Sequence, residues 1–511
     1  MTLVKSLNLN GNPFEHYTAE TEPNIAAYAV RPPYLQAISD RANGLSSFIL
    51  FGDRGAGKSA TRITVYNEVW KNSSEAKNLG KRQPLVVNLT DFSLIQENFT
   101  KNRLTDIDIV RIATFAVIEQ VLVWLSSLEE SDRNIYIDGL DKNERTIVFA
   151  LIKGFYLSTP ELERELSTTD ALRLLNSAWT TKSSIWISSH WSALSSVIAN
   201  LVNAFSKNNI SDSVDISAPA EALLKSLIGE APNTSRALLG KTVEFVKAFG
   251  FSGVCVLVDK VDETPSTADS SEATARLIYP LLSHIQLLEV SGFSWVLFLW
   301  SNVQDNFNEK HPVRLDKIAH ANITWDLDSL RIMLDSRIKY FSQGRLMFAD
   351  ILNKSLDVDT VFKELGSMAL RSPRELIKLL DIIFREHDAR GVSDGDLLDR
   401  SSLDLGQDKY AKETIGNWFT NKLLQQVLRL GKTNFVNKDV QFAFKIGDQG
   451  ARVKIKNWVD AGIVRQSGTA PSELGGKPVY LFVIADSRVE RIIERKLDDV
   501  VGAELLESDL E

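Results

Sequence analysis

The sequence contains an octet whose residue types and spacing suit it to hold a triphosphate: Gly52-Asp53-Arg54-Gly55-Ala56-Gly57-Lys58-Ser59, which fits G-x-x-x-x-G-K-[ST] without a mismatch. Glycines at these positions let backbone N–H groups turn inward around phosphate oxygens, and a helix beginning near Gly57 adds its positive end. Lys58 is expected to reach the β- and γ-phosphates and the Ser59 hydroxyl to coordinate Mg²⁺, with Asp53, Arg54, Ala56 and Ala60 completing the cradle. The chemistry implied is binding of a nucleoside triphosphate.

A second carboxylate-bearing run is needed to hold the Mg²⁺ water shell. Val254-Cys255-Val256-Leu257-Val258 is a continuous apolar stretch leading into Asp259-Lys260-Val261-Asp262-Glu263. Such a run reads as a parallel strand buried on both faces, with the acids at its carboxyl edge, where ligands of open α/β sheets gather. Asp259 is then the Mg²⁺-side carboxylate. Glu263 is the expected base for the attacking water, with Asp262 as the alternative, because phosphoryl transfer mainly requires positioning and charge neutralisation.

Three more polar groups are candidates, each with a plainer alternative. Asn302, after the apolar run Trp295–Trp300, either senses the γ-phosphate or forms an ordinary turn with Ser301. Arg314 is either an arginine finger offered to a neighbouring subunit's nucleotide or an exposed surface arginine. Arg374, in Ser372-Pro373-Arg374-Glu375, either reaches back to the triphosphate or is a solvated arginine in the first turn of a helix opened by proline.

The elements that must position these residues follow from the apolar pattern. Ser46–Phe51 reads as the strand before the glycine loop, and Ala60–Trp70 has helical spacing after it. Leu89-Thr90-Asp91-Phe92 is the expected second strand. Residues 95–245 read as helical, 250–326 return to β/α alternation, and 327–400 read as helices with a stripe at Leu376, Ile377, Leu379, Leu380, Ile383 and Phe384. A polar stretch at Gly391–Gln407 is the expected boundary to a further module.

Composition sets the outer limits. A chain of 511 residues, 44 % apolar and 24 % charged, is ordinary for a soluble globular protein of two to four compact units. The lone Cys255 excludes a disulfide framework or multi-cysteine zinc site and reads as core packing in a reducing, cytoplasmic setting. No charged region followed by an apolar one opens the chain, so secretion is not expected. Residues 183–206 carry no charged side chain, but eight of the 24 are serine, so membrane insertion is not expected either.

Taken together, the motifs resemble the AAA+ and STAND branches of the P-loop ATPases, most closely origin-recognition-type AAA+ proteins and bacterial relatives between that clade and the STAND and KAP families. The resemblance covers roughly residues 10–400 and includes Asn12-Pro13-Phe14 and Tyr28-Ala29-Val30-Arg31-Pro32-Pro33-Tyr34. Asp259-x-x-Asp262-Glu263 looks like the D-x-x-D-E form of STAND ATPases. The resemblance implies an α/β P-loop NTPase fold of the AAA+/ASCE type, with Val30, Arg31 and Tyr34 lining the adenine side in a lead-in over 1–45. It also implies an ATPase core over 46–326, a helical lid over 327–400, and ATP with Mg²⁺ as cofactors. The roughly 150 residues between the second strand and the acidic strand exceed a minimal core, so 95–245 is expected as an insertion that meets a protein partner.

Charge changes sign in the last module. Between Lys409 and Lys496 there are 16 Lys/Arg against 8 Asp/Glu, a balance of +8 in a chain whose total is −8, which points to a polyanionic partner such as double-stranded DNA. Two expected helices, Asn437–Lys445 and Gly450–Asp460, precede an expected hairpin formed by Ile463–Gln466 and Val479–Ile484. This layout over 408–496 resembles a winged helix, with Arg452, Lys454 and Lys456 on the second helix and Lys477 on the wing as nucleic-acid contacts. The tail over 497–511 has six acids and no base and is expected to be solvated.

Three functions are expected in order. The first is an ATP-binding and hydrolysing molecular switch, which the resemblance links to bacterial defence or control of mobile elements, acting as a homo-oligomer. The second is a DNA-binding AAA+ initiator or loader. The third is a nucleotide-binding scaffold that does not turn over.

Overall fold

The computed structural model describes residues 2–22, 24–30, 33–74, 83–159, 217–228, 233–268, 270–391, 396–417, 419–470 and 478–497, together with 164, 197–198 and 201. Arg31, Lys477, most of the uncharged stretch 183–206 and the acidic tail lie outside them. The chain forms two compact units, Thr18–Thr324 and Met1–Tyr17 joined with Trp325–Glu511.

The Thr18–Thr324 unit is built on a five-stranded parallel sheet: β1 (Phe48–Gly52), β2 (Leu85–Leu89), β3 (Val254–Val258), β4 (Phe293–Trp300) and β5 (His320–Asn322), in the order β2-β3-β4-β1-β5. β4 lies between the glycine-loop strand and the acidic strand, with Gly52 opposite Trp300 and Val258 opposite Leu297. Every residue of β1 and β3 is buried, as parallel strands covered on both faces require. This is the α/β parallel sheet the motifs predict. The second strand ends at Leu89, so the expected run Leu89–Phe92 is mostly the loop after it. The apolar Leu85, Val86 and Val87 upstream are the residues that pair with β3.

Helices α1 (Pro33–Asn43) and α2 (Lys58–Ser74) flank the glycine loop. The predicted helical region between β2 and β3 includes α3 (Asp106–Ser127), α4 (Lys142–Leu151), α5 (Ser217–Ile228) and α6 (Thr234–Ala248). Thr105 and Asp108 cap α3 reciprocally. Among the described residues α3 alone is long and apolar enough to cross a membrane, but 89 % of its most apolar window is buried inside the protein. It is a core helix, with Thr114 in side-chain contact with Thr242 of α6. α7 (Ser271–Leu282) and α8 (Val303–Glu309) complete the β/α alternation.

The other unit contains α9 (Leu327–Phe341), α10 (Val358–Met368), α11 (Pro373–Ala389) and α12 (Arg400–Ile415). It continues with α13 (Asn421–Leu430), β6 (Asn434–Val436), α14 (Asn437–Phe444), α15 (Asp448–Asp460), β7 (Val464–Ala470), β8 (Val479–Ile484) and α16 (Ser487–Arg495). Strands β6-β8-β7 form a small antiparallel sheet. α12 starts inside the polar stretch expected as a boundary. Asp399 caps it by accepting from the Ser402 amide, and Leu403 is fully buried, so composition there marks a helix start rather than a linker. One apolar cluster runs from Leu330 through Leu380, Tyr410 and Trp458 to Ile492. The first residues of the chain join it: Phe14 meets Phe384 edge-on at 5.0 Å, and the Asn12 side-chain amide donates to Asp381 at 2.9 Å.

Candidate nucleotide-binding site

Local backbone geometry explains the glycines of the octet. Gly55 and Gly57 have φ of 80° and 92°, a region L-residues with a Cβ rarely adopt. Gly52 faces the Ile323 side chain, which a Cβ would meet at 3.1 Å. The Ala56 amide donates to the Asp53 carbonyl at 3.1 Å, closing the turn. Lys58 opens α2, is buried, and donates from Nζ to the Gly52 and Asp53 carbonyls at 2.9 and 3.2 Å. Ser59 and Ala60 follow in the first turn of α2, both half-buried. Two left-handed glycines, a helix start and a lysine held across the loop fit a phosphate chain.

The acidic segment sits at the same carboxyl edge. Asp259 is 2 % exposed; its Oδ1 accepts from the Lys260 amide at 2.9 Å and its Oδ2 from Arg62 Nε at 3.0 Å. Arg62 lies on α2, so this ion pair brings the glycine-loop helix and the acidic strand together. Its other guanidinium nitrogens reach Asn88 at 2.8 Å and Glu20 at 3.0 Å. Lys260 Nζ pairs with Glu20 at 3.1 Å and stands 3.9 Å from Glu263. Burial pushes the Glu20 carboxyl up, but Arg62 and Lys260 hold it below its ordinary value.

Asp262 is buried and accepts from Arg54 Nε at 3.3 Å. The same guanidinium lies 4.5 Å from the centre of the Trp300 ring. Glu263 is about half exposed. Partial burial raises its carboxyl above the ordinary value; Lys260 opposes this, and Asp259, Asp262 and Glu20 add to it by like-charge repulsion. The Thr267 hydroxyl donates to the Val261 carbonyl at 2.7 Å and fixes the loop that carries both acids.

The Ser301 amide donates to the Gly52 carbonyl at 3.2 Å, which sets Ser301 and the exposed Asn302 beside the start of the glycine loop; Asn302 also begins α8. On the expected adenine side, Tyr34 stands in the first turn of α1. Burial pushes its hydroxyl up to about 12, and a contact with Thr61 of α2 opposes that shift. Val30 is half-buried just before α1. Arg314 is engaged by Asp316 at 2.8 Å through two nitrogens, with both side chains exposed.

Arg374 belongs to the other unit, half-buried in the first turn of α11 behind the Ser372 cap. On α15, Arg452 is tied to Asp448 at 2.9 Å, Lys456 is exposed, and Lys454 turns back over the Phe444 ring at 4.9 Å. Sequence reasoning missed Arg62, Glu20, Lys260 and Trp300. Arg62 had a usable signal, since it stands four residues after Lys58 and so on the same helix face.

No family model and no curated protein sequence matches the chain. Solved structures similar to it include the Aeropyrum pernix ORC1 protein in complex with DNA, at 13 % identity over 93 % of this chain and 95 % of that chain, TM-score 0.35. The Aeropyrum pernix ORC2 protein in its ADPNP–ADP complexes is similar at 13 % identity over 92 % and 96 %, TM-score 0.41. CDC6P from Pyrobaculum aerophilum is similar at 10 % identity over 93 % and 98 %, TM-score 0.32. These are distant similarities.

Proposed function

We propose that this chain binds ATP with Mg²⁺ at the glycine loop and hydrolyses it, acting as a nucleotide-dependent molecular switch. The observation that carries this reading is the convergence at one sheet edge of the Lys58 loop, the Asp259 carboxylate tied to α2 through Arg62, and Ser301–Asn302 bonded to Gly52. Loop amides and Lys58 hold the phosphates, with Arg54 at the loop's outer side, and Val30 and Tyr34 line the base. Ser59 and Asp259, the latter now engaged by Arg62 and the Lys260 amide, would hold Mg²⁺, which would supply charge neutralisation at the transferring phosphoryl group. Glu263 takes the proton of the attacking water, its raised pKa making it a stronger base than a free glutamate. Asp262, held by Arg54, orients that water, and Asn302 reads the γ-phosphate. Arg374, in the first turn of α11, is the further cation assigned to the triphosphate. Arg314 serves as the finger in a homo-oligomer, leaving Asp316 to do so. The helices between β2 and β3 offer the surface for a protein partner.

The test is a pair of variants. Lys58→Ala should lose binding of a fluorescent ATP analogue, and Glu263→Gln should retain binding but release phosphate slowly. Binding by Lys58→Ala equal to wild type would remove the site assignment. Normal turnover in Glu263→Gln would move the base elsewhere, and an absence of turnover in the wild type would favour the scaffold reading.

A second reading is favoured by the basic C-terminal module. The order α13, β6, α14, α15 and the β7–β8 hairpin supports a winged-helix reading, and the exposed face of α15 includes Gln449, Val453, Lys456 and Asn457. A helix about 10–12 Å across fits a major groove about 12 Å wide. In this reading the ATPase acts on double-stranded DNA, with Arg452, Lys454, Lys456 and Lys477 as contacts. Salt-dependent binding of a labelled duplex tests it.

A further inference from the structure

Cations on two helices of the C-terminal module crowd one aromatic ring. On α13, Lys422, Gln426 and Arg429 are spaced i, i+4, i+7 and so share one face. The Gln426 side chain accepts from Trp458 Nε1 of α15 at 3.0 Å, which fixes that face against α15. The Arg429 guanidinium and the Lys454 ammonium both approach the Phe444 ring, at 5.3 and 4.9 Å from its centre. Lys422 and Arg429 are exposed and Lys454 is half-buried.

Nearby bases are arranged differently. Lys432 pairs with Asp439 and Arg452 with Asp448. Among the described residues no carboxylate pairs with Lys422, Arg429 or Lys454. Lys454 is held below its ordinary pKa by burial first and then by the charges of Lys422 and Arg429. Like charges gathered without a counter-ion cost stability, and a polyanion bound across them would relieve that repulsion.

We propose that Lys422, Arg429 and Lys454 form a phosphate-binding ledge for the backbone of duplex DNA, on the flank of α15 that adjoins α13. The proposal rests on the DNA reading of this module and revises its contact set. Lys422 and Arg429 are about 10.5 Å apart along the α13 axis at 1.5 Å per residue, enough to meet different phosphates of one strand, which recur about every 3.4 Å along the duplex axis. With the outer face of α15 toward the bases, its flank and the neighbouring α13 meet the phosphates at the groove lip. Contacts of this kind position the protein and carry the salt dependence. Arg452, by contrast, is already neutralised by Asp448.

The experiment is fluorescence anisotropy of a labelled duplex with the full chain, across a salt series. Replacing Lys422, Arg429 and Lys454 together by Gln should weaken binding and reduce the slope of log K against log salt by roughly 2.7, at about 0.9 per phosphate contact. The single exposed change Arg429→Gln should remove roughly 0.9 of slope, and Arg429→Lys should retain it, with an unfolding midpoint no lower than that of the wild type in each. A wild-type slope retained in both Gln variants overturns the ledge while leaving the DNA reading intact. If the wild type shows no salt-dependent duplex binding, the DNA reading falls and the ledge with it. Salt-dependent binding to polyglutamate but not to the duplex also overturns the proposal, in favour of an acidic protein surface.

Discussion

Replacing Arg62 by Met should destabilise the sheet-containing unit more than any change to an exposed charge in it. Arg62 and Asp259 are each 2 % exposed and lie 3.0 Å apart. Without the guanidinium, the Asp259 carboxylate keeps only the Lys260 amide as a hydrogen-bond partner among the described residues. Removing one member of a buried ion pair leaves an uncompensated charge and costs about 3–5 kcal/mol. Losing the Glu20 contact adds little, since Glu20 is nearly a third exposed and keeps Lys260. At about 2 °C per kcal/mol for a unit of this size, the melting midpoint should fall by roughly 6–10 °C. Scanning calorimetry on Arg62→Met, Asp259→Asn and the double variant completes a cycle in which the double should lose less than the sum, by about 1 kcal/mol or more. A fall of under about 2 °C for Arg62→Met, or strict additivity, would show that the pair does not couple the two elements.

Gly57→Ala should cost about 1–2 kcal/mol from its φ of 92° even though a Cβ meets nothing within 4 Å, and should weaken ATP binding in an analogue titration. Arg54→Ala should change Trp300 emission, because the guanidinium lies 4.5 Å from that ring, and an unchanged spectrum would place Arg54 elsewhere. The acid limb of the turnover–pH profile should lie above the ordinary glutamate range, following Glu263. That group's raised folded pKa contributes stability that is fully present below its unfolded value and is lost as pH rises through the folded one, so activity rises where this contribution declines. Asp399, whose cap and Arg390 partner outweigh burial and bring it down to about 2, contributes stability above about 3.8 that disappears as pH falls through 2. Acid titration of Asp399→Ala by circular dichroism should lack that step.

The glycine loop and the acidic strand were legible because each is a local pattern: eight residues in one case, an apolar run ending in acids in the other. Partners separated widely in sequence were not. Arg62 and Asp259 are 197 residues apart and Asn12 and Asp381 are 369 apart, and no periodicity carries such pairings. Residues 2–17 read as part of a lead-in to the glycine loop, yet Phe14 packs on Phe384. Polar composition at 391–407 concealed the Asp399 cap, because the residues that favour turns also start helices. The basic residues of α15 were visible as a count, while their sorting into Arg452 tied to Asp448 and Lys454 turned toward α13 depends on side-chain direction.

The pairing of Phe14 and Asn12 with residues near position 380 also constrains when this protein can mature. Asn12 and Phe14 cannot find their seat until more than three hundred further residues have been made, while the parallel sheet can assemble earlier as a self-contained body. Closing so long a loop adds little entropy beyond a shorter one, since the penalty grows only logarithmically. The delay is therefore one of synthesis time, during which Phe14 remains uncovered. A fragment starting at Trp325 would leave Asp381 without its Asn12 and Tyr17 donors, so an expression clone of that half needs the opening residues grafted back.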